Sequence, residues 1–120
     1  MRQTDQIAPP NSILVVSGPK GVEIPDPSDA LIWSTPSCVI VGCLTFCDGE
    51  TEVTFGDADE VDPGALPAFD ATLKTPDREV IVWTVEDETI FRTDVPDVET
   101  RVRVWANAPK EPDVVIIGLG

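Results

Sequence analysis

Histidine and tyrosine are both absent from this chain of 120 residues. Without histidine the chain lacks the commonest general base and the commonest zinc ligand. Serine–histidine and cysteine–histidine catalysis therefore cannot be assembled within this chain alone. Basic residues are scarce, with 8 lysines and arginines against 22 acidic residues and a formal net charge of -14. Such a chain repels nucleic acid and anionic membrane surfaces, and it attracts basic proteins or cations. No segment approaches the roughly 20 apolar residues of a membrane-spanning helix. The opening MRQTDQIAPPNS has neither the basic start nor the apolar run of a signal peptide. Residues 1–11 read as a loose lead-in and residues 12–120 as one domain. The cysteines number 3, which without an export signal reads as free thiols in a reducing cytoplasm.

What is present is β-branched and punctuated. The prolines number 12, about twice the usual share, and they fall between the apolar runs. Proline has no N–H to give a central strand, so it marks the ends of strands. The runs are residues 12–17, 20–24, 37–47, 50–56, 69–75, 79–85, 88–93, 98–106 and 113–119. In residues 50–56 the alternation is strict, with Thr51, Val53 and Phe55 facing in. No stretch carries a helical apolar stripe beyond one turn near Ala58–Val61. The fold class expected is all-β, a single antiparallel β-sandwich of about eight short strands with almost no helix. Asp48–Gly49 is expected to close a type I′ hairpin pairing Leu44–Cys47 with Glu50–Val53.

Three constellations bear on chemistry. Cys38, Cys43 and Cys47 lack the tight-turn spacing of a zinc knuckle. On one continuous strand Cys43 and Cys47 share a face about 13 Å apart, too far for a disulfide. They read as free, mostly buried thiols. The acidic link holds Asp57, Asp59, Glu60 and Asp62. With Asp57 as the first position of a calcium loop, Val61, Asp62 and Ala68 fall where a ligand, a glycine and a glutamate are required. The link reads as a solvated connection, a partner contact or a weak cation site. The third constellation is the alternation Glu99, Arg101, Arg103, Trp105, which sets two arginines and a tryptophan on one strand face. Arginine and tryptophan are enriched at binding hot spots. The plainer reading neutralises the arginines with Asp97 and Glu99 and folds Trp105 over the sheet end.

Four pieces, Glu52–Phe55, Asp57–Asp62, Asp70–Leu73 and Arg101–Trp105, follow one another in an order that resembles a family of small acidic bacterial proteins similar to competence protein J, a nuclease inhibitor. The resemblance covers roughly the C-terminal two-thirds. Leu66–Phe69 stands where the family's acidic link commonly carries a tryptophan. The resemblance implies a β-sandwich and an inhibitor or immunity role.

The function expected is a non-enzymatic binding module for a basic protein partner. Its contacts would be Asp57, Asp59, Glu60, Asp62, Arg101, Arg103 and Trp105. No cofactor, metal, nucleic acid or membrane is expected to take part. The rival expectation is a structural or ligand-carrying homo-oligomer, with the apolar strand Val114 to Leu119 pairing across a homodimer.

Overall fold

Among the described residues the chain forms ten strands in two five-stranded sheets packed face to face. The computed structural model describes residues 1–45 and 47–120. The strands are β1 Arg2–Ile7, β2 Ile13–Ser17, β3 Ile32–Thr35, β4 Cys38–Gly42, β5 Thr51–Asp57, β6 Phe69–Lys74, β7 Glu79–Trp83, β8 Thr89–Asp94, β9 Glu99–Ala106 and β10 Val114–Leu119. One helical turn, α1 Ala58–Val61, stands where the sequence allowed one. The first sheet runs β1-β5-β10-β9-β6 and the second β3-β4-β2-β7-β8. Among the described residues the ladder of β10 with β5 is parallel and the others are antiparallel.

Alternation decides which side chains form the core. Val53 and Phe55 of β5, Val102 and Val104 of β9, and Val115 and Ile117 of β10 face inward and are fully buried. Leu14, Val16, Val41, Val80 and Val82 meet them from the second sheet. Phe55 stacks on Phe91 across the two sheets, with ring centroids 5.4 Å apart.

Four expectations are corrected. Residues 2–7 are not a loose lead-in: they form an edge strand paired antiparallel with β5, from Arg2 opposite Gly56 to Ile7 opposite Thr51. Residues 20–24 form no strand. Pro19, Pro25 and Pro27 withhold donors, and Gly21 turns the chain at φ +66°. The segment instead lays Val22 over a small apolar cluster of Val15, Cys38 and Ile40 on the outer face of the second sheet. Its backbone is tied down by side chains: Thr35 Oγ1 donates to the Glu23 carbonyl at 2.6 Å, and the Glu23 N–H donates to Ser37 Oγ at 2.8 Å.

The third correction concerns the hairpin, whose expected first strand includes Phe46, outside the described residues. Strand β4 ends at Gly42 and belongs to the second sheet, whereas β5 belongs to the first. The chain therefore changes layers between β4 and β5, and among the described residues no ladder joins the two. The turn hydrogen-bonded there is a different one, with Asp48 at its end rather than its centre. The Asp48 N–H donates to the Thr45 carbonyl at 2.9 Å, and Thr45 Oγ1 donates to Asp48 Oδ2 at 2.8 Å. Gly49 still takes a positive φ of +130°. Gly49→Val is accordingly expected to cost about 1 kcal/mol or more, because a β-branched residue is strained there. Asp59→Asn, on the exposed link, should cost less than about 0.5 kcal/mol. Urea melts of the two variants check both figures.

The last correction removes the dimer edge. Strand β10 lies between β5 and β9, hydrogen-bonded on both sides within the chain. Val114 to Leu119 thus offers no free edge to a second copy. Its inner face, Val115, Ile117 and Leu119, is buried, and on its outer face Val114 and Ile116 are half-buried, so apolar residues suit both.

Candidate functional site: an acidic end of the sandwich

The connection from β5 to β6 must cross β10 and β9 to reach the far edge of the first sheet. It does so over the outer face and carries the acidic link with it. Ala58 and Val61 of α1 turn down and are buried, while Asp59, Glu60 and Asp62 point out. Asp57 and Glu60 together bind the Met1 ammonium, at 2.9 and 2.6 Å. The ammonium's hydrogen bond holds the Asp57 carboxyl below its usual range. Asp62 Oδ1 accepts the Gly64 N–H at 2.7 Å and starts the next turn.

Asp57 also lines a cleft of about 310 Å³ at this end of the sandwich. Asp94 at the end of β8, Asp97 in the β8–β9 turn and Glu99 at the start of β9 line it too. Its one cation is Arg101, and that charge is already matched. Arg101 donates from Nε to Asp70 Oδ1 at 2.8 Å and from Nη2 to Asp70 Oδ2 at 2.6 Å. The expected partners, Asp97 and Glu99, give way to a cross-strand residue. The register sets Asp70 opposite Arg103 and hence diagonal to Arg101, within reach of a long side chain.

The Arg101 hydrogen bond holds the Asp70 carboxyl below its usual range. Asp70 therefore binds a proton less readily in the folded chain than in the unfolded one. Its stabilisation is present above the unfolded carboxyl range and is lost as pH falls through the lower folded value. Melting temperature measured against pH should show wild type losing its margin over Asp70→Asn below about pH 4, with a constant difference above about pH 5.

Trp105 does not stand exposed beside the arginines. It is only 5% exposed, because the crossing link lies over it. Its Nε1 donates to the Ala65 carbonyl at 2.9 Å, and its ring lies over Gly118 of β10, where an added Cβ would meet ring carbon Cζ3 at 3.0 Å. Arg103 is half-buried over the Trp105 ring, 5.9 Å from its centroid, and donates to the Gly120 carbonyl at 2.6 Å. The structure thus joins Asp57, Glu60 and Arg101 at one end, with Asp59 and Asp62 on the adjoining link. It withdraws Trp105 into the packing. Asp94, Asp97 and Glu99 join the same end through the fold. Their clustering around Pro96 in TDVPDVE was the only sequence sign of it.

The cysteines lie apart from this end's chemistry. Cys38 and Cys43 are buried in separate clusters on opposite faces of the second sheet, while Cys47 is exposed beyond the strand rather than sharing a face with Cys43. Burial pushes the thiols of Cys38 and Cys43 up to about 11 and about 12. Among the described residues no group of histidine, cysteine or carboxylate side chains is arranged to hold a metal ion. Nor is any helix there long and apolar enough to cross a membrane.

Fold and site define a two-sheet β-sandwich with an acidic end built from a crossing link and a strand turn. The crystal structure of ComJ, inhibitor of the DNA degrading activity of NucA, from Bacillus subtilis, has a similar fold: the TM-score is 0.70 over 98% of this chain and 93% of that one, at 9% sequence identity. The resemblance read from the sequence holds at the level of the fold. No family model and no curated protein matches the chain.

Proposed function

We propose that this chain is a non-enzymatic binding module that inhibits a basic protein partner. The observation that carries the reading is the charge of -14 together with four carboxylates gathered around one cleft. Asp57, Asp94, Asp97 and Glu99 line that cleft, and its arginine is already paired. A DNA-cutting enzyme must present cationic groups to a polyanion. A rigid acidic surface can occupy those groups in place of DNA and block access without any chemistry of its own. ComJ, of similar fold, is an inhibitor of a DNA-degrading activity, which supports this direction. The missing histidine supports a role without catalysis, because the carboxylates left would need a substrate cleft with one of them held protonated. Here the resolved shifts of Asp57 and Asp70 run the other way. The reading places the protein in the cytoplasm, beside the partner it restrains.

A salt-graded pull-down from cells that make the protein tests this. The immobilised chain should retain a basic protein at low salt and release it as salt rises, since exposed charge pairs are screened. Recovery of neutral or acidic proteins alone would contradict the reading.

A further inference from the structure

Beside the acidic link lies an apolar groove that charge alone does not explain. It encloses about 260 Å³ on the outer face of the first sheet, and none of its lining residues is charged. Trp105, Val114 and Ile116 line it from the sheet, with Trp105 and Ile116 directly opposite in register. Pro63 and Leu66 line it from the crossing link. Leu66 is 95% exposed. A leucine so placed is held out by its loop. Pro67 keeps Leu66 extended, Pro63 fixes the entry, and the Trp105 hydrogen bond to the Ala65 carbonyl pins the segment between them. A side chain presented on a stiff loop loses little freedom on binding.

The groove is bracketed by carboxylates. Asp62 directly precedes Pro63 on one wall, and Asp113 directly precedes Val114 on the other. Both are exposed. A second copy of this chain would bring another -14 against that rim, which like-charge repulsion opposes. We infer that the Leu66 groove seats an apolar side chain of a basic partner, flanked in that partner by lysine or arginine residues that meet Asp62 and Asp113. This rests on the reading that the partner is basic, and it adds where the partner's apolar anchor lies.

Amide and indole NMR titrations with two peptides test it: an alternating lysine–leucine peptide and an oligolysine of equal charge. The lysine–leucine peptide should shift Leu66, Ile116 and the Trp105 indole, while oligolysine shifts only the acidic end. Leu66→Ser, a change at an exposed site, should weaken the lysine–leucine peptide about tenfold and leave oligolysine unchanged. If both peptides move only the acidic end and Leu66→Ser changes neither affinity, the groove inference fails while the basic-partner reading stands. If neither peptide binds, both fail. A concentration-dependent dimer abolished by Leu66→Ser would overturn the inference in favour of a second copy.

Discussion

Phe55→Ala is expected to lower the unfolding free energy by about 3–5 kcal/mol, the range for deleting a buried phenylalanine. Phe55 is fully buried at the centre of β5 and stacks on Phe91 of the opposite sheet. Removing the ring takes away apolar burial and a cross-sheet aromatic contact at once, and the flanking valines are too stiff to fill the space. A domain of this size has only about 5–15 kcal/mol in total, so the variant should be marginal. A urea melt with a loss under about 1 kcal/mol would show that Phe55 is not packed between the sheets.

Gly118→Val is expected to cost about 2–3 kcal/mol for a different reason, overpacking. A Cβ on Gly118 would sit 3.0 Å from Trp105 Cζ3, 3.1 Å from the Ala58 Cα and 3.2 Å from the Ala58 Cβ. The Ala58 Cα is backbone, so α1 itself must lift. The strain should therefore appear at the acidic link as well as in the melt: the Trp105 indole resonance should move, because its hydrogen bond to Ala65 belongs to the same packing. Gly118→Ala should show a smaller loss in the same direction. A Gly118→Val chain as stable as wild type would mean that the crossing link does not rest on β10.

Much of this architecture was legible because one layer of burial writes itself into alternation. Thr51, Val53 and Phe55 face in as their spacing requires. The α-helical turn at Ala58–Val61 was legible as well. Strand β1 was not, because RQTDQI is an edge strand with mostly exposed side chains, and its ladder with β5 is a tertiary fact. Residues 20–24 looked like a strand because Val22 and Ile24 alternate. Only Val22 found a surface to cover, and Ile24 remains 56% exposed. At Asp48–Gly49 only the positive φ of Gly49 follows the turn signal; the hydrogen-bonded turn is Thr45–Asp48, and β4 and β5 belong to different sheets.

The candidate site was half legible for a related reason. The carboxylates of the link announced themselves in sequence, but their cleft partners Asp94, Asp97 and Glu99 arrive through topology. Trp105 was misplaced because its alternation correctly put it on the outer face, and nothing local said that the β5–β6 connection would cross that face and cover it. Thr54, also on that outer face, is likewise only 5% exposed, with its hydroxyl 3.2 Å from that of Thr4 on β1.

The central claim is that the acidic end steers and holds a basic partner. Its most direct test is the association rate between the chain and the basic protein released in the salt-graded pull-down, followed by stopped flow across salt concentrations. Wild type should associate at least about tenfold more slowly at physiological salt than at low salt, as expected for electrostatic steering. A variant with Asp59, Asp62, Asp94 and Asp97 all changed to asparagine should associate slowly at every salt concentration, with its melting temperature nearly unchanged. An association rate that is flat with salt, and the same in the neutralised variant, would contradict the account.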